Sequence, residues 1–331
     1  LKRVGYLFEQ AFTKDNLYEA YLDASKHKHG NQACFKFERR LSYNLDSLYD
    51  ELQSGTYKPR PYLTFTVYEP KERKIYAPAF RDLVVQHAIY RVIRLIFDRA
   101  FIDQSYACRK GKGTHACADY AQTALIASPA DSYTLKLDIR KFFYRINRDV
   151  LQRLIERKIK DRRFVNVMML FADYGEPIGI PIGNLLSQVY ALIYLNPLDH
   201  FIKRELKAKR YCRYVDDFIL FGITKKQANE YLTRIIVFIK TLNLELSRYT
   251  IALIKRGVNF VGYRTWVDKR FIRKRSLFVF SRALRDEKIQ SAISILGHAR
   301  RTHSLRYLVI KMKEKYHDLQ LPKAYRQFEN G

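Results

Sequence analysis

An α+β fold is predicted by three observations. Apolar residues recur at helical spacing through long stretches of the chain, short runs between them alternate with period two, and two of those runs lead into carboxylates. At 331 residues and 47% hydrophobic content the chain can bury a sizeable core, yet it exceeds the length at which single cores keep growing, so two or three packed subdomains are expected.

Residues 1–60 carry helical spacing, as in Leu41, Leu45, Leu48 and Leu52, and end in the breaker-rich stretch from Gly55 to Pro61. Leu63 to Tyr68 alternates around β-branched and aromatic residues. The charged turn Glu69 to Lys74 and the run Ile75-Tyr76-Ala77 complete a basic β-hairpin. Asp82 to Ala100 is helical, with Val84, Val85, Ala88, Ile89, Val92, Ile93 and Ile96 on one wide apolar face. From Tyr133 the period becomes two: Leu135 and Leu137 alternate with Thr134 and Lys136, and the strand closes on Asp138. Asn147 to Ile159 reads as a helix, Gly175 to Gly183 as a Gly- and Pro-broken loop, and Leu185 to Leu206 as a long helix. Arg210 to Phe221 makes two short strands flanking Asp216 and Asp217, followed by a helix from Lys225 to Leu242. Asn259 to Val267 and Arg270 to Phe280 suggest a last pair of strands, and from Ser281 onward helical spacing dominates. There is no internal repeat and no low-complexity linker.

The 61 Lys and Arg against 33 Asp and Glu give a net charge of +28, which points to a polyanionic partner. Nucleic acid fits best, because 25 Tyr and 21 Phe supply stacking platforms beside the charge. Basic faces suited to RNA backbone lie at residues 8–30, with Lys14, Lys26, His27 and Lys28, and in the tail, with Lys288, Arg300 and Arg301. Cys34, Cys108, Cys117 and Cys212 are too sparse for a disulfide scaffold and lack the paired spacing of a zinc site, so reduced packing residues are expected. No apolar run is long enough for a membrane span, and no charged start precedes an apolar signal core. A cytosolic protein without membrane contact is expected. The chain begins at Leu1 instead of Met, which leaves room for residues ahead of it.

Tyr214-Val215-Asp216-Asp217-Phe218 sets two adjacent acids at the crest of an otherwise apolar hairpin. Neighbouring strand residues point to opposite faces, so both carboxylates reach one pocket only if the turn redirects one of them. Asp216 is assigned the main ligand role and Asp217 a supporting one. With Asp138 they form a carboxylate set for two Mg²⁺ ions, the arrangement used for in-line phosphoryl transfer, and the backbone carbonyl of Ile139 is a candidate further ligand. Taken alone, an Asp-Asp pair is more often a polar turn between strands.

Tyr214-Val215-Asp216-Asp217 resembles the acidic box of reverse transcriptases, and Leu137-Asp138-Ile139-Arg140-Lys141-Phe142-Phe143 resembles their earlier metal-binding box, in matching order and spacing. Further resemblance lies in Arg81 to His87, in Ser105 to Gly113 and in Phe260-Val261-Gly262-Tyr263, so the match spans about residues 60–265. It implies a right-hand polymerase fold of fingers, palm and thumb with an antiparallel palm sheet and a helical thumb. The expected boundaries are an N-terminal helical region at 1–60, fingers at 61–130, palm at 131–270 with fingers residues 150–185 interleaved, and thumb at 271–331.

The resemblance gives Arg73, with Lys71 and Lys74, the grip on the incoming deoxynucleotide triphosphate, which guanidinium geometry suits. Phe143 takes the place of the bulky residue that excludes a ribose 2′ hydroxyl, and Ile182 and Gly183 join the nucleotide site. Arg81, Gln86, Arg109, Gln188, Tyr214, Gly262 and Tyr263 are implied contacts to template and primer. Arg248 is a candidate for a Lys that many relatives use to position the triphosphate. His298 is expected to have a surface or capping role.

The main departure from most of the family is Gly179-Ile180-Pro181-Ile182-Gly183-Asn184-Leu185-Leu186-Ser187-Gln188, with Ile182 where Gln is usual and Gln188 where Pro is usual. This pattern is similar to the reverse transcriptases of diversity-generating retroelements, which copy a template RNA with errors concentrated at adenines. Val67-Tyr68-Glu69-Pro70-Lys71, Lys112-Gly113-Thr114-His115-Ala116 and Gly297-His298-Ala299 agree. An Ile can supply shape where a Gln would supply a hydrogen bond, and polar readout discriminates more strongly, so Arg73 and Ile182 are expected to set fidelity. The subclass implies a template RNA that also primes its cDNA, a basic oligomeric accessory variability protein, and a bacterial or phage-infected host cytoplasm. A retron or group II-like reverse transcriptase, an RNA-dependent RNA polymerase and a non-enzymatic RNA-binding protein on a polymerase fold are the alternatives.

Overall fold

The computed structural model describes residues 3–68, 71–317 and 325. Glu69 and Pro70 of the expected hairpin turn and the tail after 317, Tyr325 excepted, lie outside the described residues. In chain order the elements are α1 (Leu7–Ala11), α2 (Lys14–Ser25), α3 (Gln32–Glu38), α4 (Leu41–Ser54), β1 (Leu63–Val67), β2 (Arg73–Ala77), α5 (Phe80–Asp98), α6 (Thr114–Ile126), β3 (Tyr133–Ile139), α7 (Phe142–Arg145), α8 (Arg148–Glu156), α9 (Arg162–Leu170) and α10 (Leu185–His200). They continue as β4 (Arg210–Tyr214), β5 (Asp217–Ile223), α11 (Lys225–Lys240), β6 (Leu246–Leu253), β7 (Val258–Phe260), β8 (Tyr263–Thr265), β9 (Arg270–Ile272), α12 (Lys274–Arg285), α13 (Ile289–Ala299) and α14 (Ser304–Lys315).

The chain divides into two compact units that cut across the fourfold division expected from the sequence. The first comprises Leu1–Asp103, Ile139–Glu205 and Ile235–Ser247. Its spine is α5, whose Val84, Val85, Ala88, Ile89 and Ile93 are fully buried, as their helical spacing requires. Helix α2 packs along α5, and Arg91 ties the pair by donating to Asp23 Oδ2 at 2.7 Å and Asn16 Oδ1 at 3.0 Å. The antiparallel hairpin β1–β2 runs in register from Leu63 opposite Ala77 to Val67 opposite Arg73. All of β1 is exposed.

In the same unit the Gly-rich loop enters α10 through Asn184, whose side chain accepts from Leu186 N at 3.0 Å. Gln86 Oε1 accepts from Leu185 N at 3.1 Å, which satisfies a second free amide of that helix end. The expected long helix is α-helical only to His200 and continues as a π-turn over Phe201–Glu205.

The second unit comprises Gln104–Asp138, Leu206–Arg234 and Arg248–Gly331. It holds the four-stranded sheet in the order β4-β5-β3-β6 and a small antiparallel sheet β7-β8-β9. Leu135 and Leu137 on one face of β3 are buried, as are Cys212, Phe218, Ile219 and Leu220 of β4 and β5. Helix α6, which the sequence did not disclose, packs on β4 and β5 through Cys117, Ala121 and Leu125. The expected strand from Arg270 to Phe280 needs correction: it ends at Ile272, and α12 follows. Leu277, Phe280, Ala283 and Leu284 recur at helical intervals, and they pack with Ala292, Leu296 and Leu308 of the two following helices. The four cysteines are unpaired, and all but Cys108 are buried.

Candidate active site

Two chain segments of the second unit converge on the carboxylates. Antiparallel pairing of β3 with β5 sets Asp138 directly opposite Asp217, so their side chains leave the same face of the sheet. On β4 and β5, Tyr214 pairs with Asp217, which leaves Val215 and Asp216 as a two-residue turn. Val215 has φ 57°, a left-handed conformation that costs a β-branched residue energy and is normally given to Gly in such hairpins. The turn sets Asp216 outside the strand position that Asp217 occupies.

A fully buried Arg213 holds this turn. Its Nη1 donates to Val215 O at 2.9 Å and its Nη2 to Ser105 Oγ at 3.2 Å, while Tyr106 N donates to Arg213 O at 2.9 Å. A buried guanidinium is tolerated only when its donors are used in this way. Strain of this kind persists where the surroundings over-determine it, and such positions cluster at functional sites.

Cations surround the acids. Lys136, two residues before Asp138 on the same face of β3, places Nζ 3.0 Å from Asp217 Oδ2 and donates to Asn259 O at 2.8 Å. Arg248 Nε lies 3.6 Å from Asp138 Oδ2. Burial raises the Asp217 carboxyl from its ordinary value and Asp138 adds to the shift, against the opposing Lys136 charge. Burial likewise lowers the Arg273 guanidinium, an effect that the charge of Asp217 opposes. Asp138, Lys136, Arg248, Asn259 and Arg273 line a cavity of about 450 Å³.

This donor set fits a hard divalent cation. Facing carboxylates repel one another, and among the described residues Asp217 Oδ1 is buried without a hydrogen-bond partner, an oxygen that a cation would satisfy. Asp138, Asp216 and Asp217 would hold such ions, with the carbonyl of Ile139 next in the chain.

The other expected site residues fall in both units. In the first, Lys71, Arg73 and Lys74 are exposed on the hairpin, and Lys74 Nζ lies 5.3 Å from the Tyr76 ring centre. Tyr76 N donates to Ile182 O at 2.7 Å, so the loop carrying Ile182 is tied to the base of that hairpin. A side chain at Gly183, φ 107°, would meet Ile75 Cγ2 at 2.7 Å. Half-buried Phe143 sits on the short α7, and its carbonyl accepts from Ile180 N at 2.9 Å. Gln188 is exposed. In the second unit Arg109 Nη1 donates to Ser105 O at 3.1 Å, and Tyr214 is half-buried beside the turn.

Three of the expected template or primer residues have their side chains engaged within the protein. Gln86 is fully buried and spent on the α10 amides, Arg81 pairs with Glu51 Oε2 at 2.5 Å, and Tyr263 is fully buried with its hydroxyl bonded to two histidines. Each of these side chains supports the fold. His298 is one of those histidines, stacked on Tyr263, and neither a surface nor a capping residue. The sequence reading missed Lys136, Arg213 and Arg273. Lys136 was legible as the polar face of β3 leading to Asp138, and Arg213 as a charge inside an apolar strand.

No helix among the described residues is long and apolar enough to cross a membrane. The chain is 26% identical over 293 residues to Protein YkfC of Escherichia coli, covering 73% of this chain and 74% of that protein. It is 28% identical over 177 residues to the group II intron-encoded protein LtrA of Lactococcus lactis, covering 50% of this chain but only 29% of LtrA. Nuclear intron maturase 4 of Arabidopsis thaliana is likewise 28% identical, and the match covers 49% of this chain and 21% of that protein. Among solved structures, apo telomerase from Candida tropicalis superposes with a TM-score of 0.53 at 12% identity, covering 78% of this chain and 58% of the other. Telomerase from Candida albicans, solved with a fragment of telomeric RNA, gives 0.52 at 11%, covering 80% and 57%. These likenesses bear out the α+β polymerase fold. The family model for reverse transcriptase (RNA-dependent DNA polymerase) matches residues 69–265, which is more than half of the chain and includes every catalytic candidate, and the chain therefore belongs to the reverse transcriptase family.

Proposed function

We propose that this reverse transcriptase serves a diversity-generating retroelement, copying a template-repeat RNA into cDNA with errors directed to adenines. The observation that carries the reading is Ile182, an apolar side chain in the loop that Tyr76 ties to the basic hairpin. Apolar shape without a hydrogen-bonding amide weakens discrimination between correct and incorrect pairs.

In this reading Arg73, Lys71 and Lys74 bind the triphosphate oxygens, and Phe143 excludes a 2′ hydroxyl so that deoxynucleotides are selected. Asp138, Asp216 and Asp217 hold the catalytic ions, with the carbonyl of Ile139 as a further ligand. Two bound Mg²⁺ would supply charge neutralisation at the triphosphate and an acidified primer hydroxyl. Lys136 and Arg273 balance the clustered negative charge, and Arg213 fixes the height of Asp216. Exposed Gln188, the half-buried Arg109 and Tyr214 and the backbone at Gly262 address template and primer. A basic oligomeric accessory variability protein and a bacterial or phage-infected cytoplasm belong to the same proposal.

Similarity to proteins whose names specify group II introns and maturases favours a second reading, a group II-like reverse transcriptase copying with ordinary fidelity. Sequencing cDNA made from a defined RNA with Mg²⁺ and deoxynucleotides separates the two, with Asp216→Asn as control. Errors clustered at template adenines support the retroelement enzyme, and faithful product supports the second reading. Absence of metal-dependent product with every partner supplied overturns both.

A further inference from the structure

Three metal-ligating side chains that the polymerase chemistry does not use converge among the N-terminal helices of the first unit. Cys34 and Glu38 stand one helical turn apart on α3, so their side chains share a face, and His29 reaches them from the loop between α2 and α3. That loop bends at His27, whose φ of 60° is left-handed. Cys34 Sγ donates to Glu38 Oε1 at 3.3 Å, and His29 Nδ1 lies 2.9 Å from the same oxygen. One ligand atom from each of the three falls within 4.8 Å of the other two. The residues make no paired-cysteine motif, and it is the fold of the loop onto α3 that gathers them.

The thiol is buried, the carboxylate half-buried and the imidazole exposed, so protein closes one side of the cluster and solvent meets the other. On the closed side Tyr21 of α2 donates to Glu38 Oε1 at 3.0 Å. Its ring stacks on Phe37 with centres 6.1 Å apart, and Phe37 packs edge-on against Phe80, the first residue of α5. A ligand oxygen oriented by an outer hydroxyl on a packed aromatic ring is the support that metal sites require.

The donor set selects the ion. Sulfur, imidazole nitrogen and a single carboxylate oxygen suit a borderline-soft cation, whereas Mg²⁺ takes oxygen ligands. Tetrahedral Zn²⁺ with bonds of about 2.0–2.3 Å sets neighbouring ligand atoms roughly 3.3–3.8 Å apart. The separations of 2.9 and 3.3 Å reach that geometry with small side-chain shifts. We infer that His29, Cys34 and Glu38 form a Zn²⁺ site, built from none of the residues assigned to Mg²⁺, that pins the loop at residues 26–31 to α3. Binding forms one bond each to sulfur, nitrogen and oxygen, breaks the S–H bond and releases the thiol proton to solvent, with no change of oxidation state. Water completes the fourth position. The inference does not depend on the polymerase reading.

The test titrates the full chain, freed of metal by dialysis against a chelator, with Zn²⁺ in competition with a chromophoric chelator. Mg²⁺ in large excess keeps the Asp138, Asp216 and Asp217 cluster filled. The wild-type chain should bind Zn²⁺ with a rise in Tm, and Co²⁺ in its place should show a thiolate-to-metal charge-transfer band. Cys34→Ser should abolish that band. His29→Ala and Cys34→Ser should each weaken Zn²⁺ binding at least about a hundredfold, since loss of an outer-shell partner alone costs about 10–100-fold. Cys108→Ser, which removes the exposed thiol, should leave both the binding and the band unchanged. Should Cys34→Ser fail to fold, the exposed position of His29 keeps His29→Ala decisive. A wild-type chain that takes up no Zn²⁺, or affinity unchanged in His29→Ala, overturns the site and leaves the three side chains as a hydrogen-bonded network.

Discussion

The two hairpins that carry the expected catalytic and nucleotide-binding residues are built in opposite ways. β4–β5 is buried through Cys212, Phe218, Ile219 and Leu220, and its core holds a β-branched residue in a left-handed turn. β1–β2 has the same regular antiparallel register, yet β1 is exposed along its whole length, and the hairpin is tied to the Ile182 loop at its base through Tyr76. Carboxylates that hold metal ions need fixed positions, because misplacement of a ligand is lost catalysis, whereas cations that collect a diffusing triphosphate need access to solvent. A buried hairpin can hold a strained residue because its surroundings fix it.

The largest test of that contrast lies in the acids. Asp138→Asn, Asp216→Asn and Asp217→Asn should each lower Mg²⁺-dependent nucleotide incorporation by about a thousandfold or more, with far-UV circular dichroism unchanged. Retained activity in all three would remove the catalytic role of the buried hairpin. Hydrogen exchange gives the next largest effect. Amides of Phe218 to Phe221 should exchange at least about a hundredfold more slowly than those of Leu63 to Val67, since the latter can open without disturbing a core. Equal protection would break the comparison.

Arg73→Ala should raise KM for deoxynucleotides about tenfold to a hundredfold, the value of charge-assisted hydrogen bonds to phosphate, and leave the melting temperature unchanged. Ile182→Gln should reduce misincorporation at template adenines several-fold, roughly a tenth of the error remaining at most favourable positions, as cDNA sequencing would read. An unchanged error spectrum would detach fidelity from the loop at the hairpin base. The smallest effect is expected from Val215→Gly. Relief of about 1 kcal/mol of left-handed strain is offset by the added backbone freedom of glycine, so Tm should move by no more than about 2 °C. A large loss of Tm would mean that packing of Val215 dominates the turn.

Much of this was legible along the chain. The period-two run into Asp138, the apolar hairpin around Asp216 and Asp217, and the wide apolar face of α5 follow from local alternation and spacing, which burial then preserves. Arg270 to Phe280 misled because aromatic and β-branched residues favour strands locally, whereas packing of Phe280 and Ala283 on the next two helices rewards helical spacing. Gln86 and Tyr263 sit in motifs that resemble nucleic-acid contacts, but only their burial assigns them to the frame.

The sequence by itself determined the fold class, the three acids and the excess of basic charge, because strand period, residue type and composition are properties of neighbours in the chain. Tertiary structure alone decided that Asp217 faces Asp138 while Asp216 rides on a strained turn, that Lys136 and Arg273 balance the acids, and that His115, Tyr263 and His298 meet at Gly262. Register, burial and the pairing of distant charges arise only when segments far apart in sequence pack together, and no local pattern encodes which distant residue will be the partner.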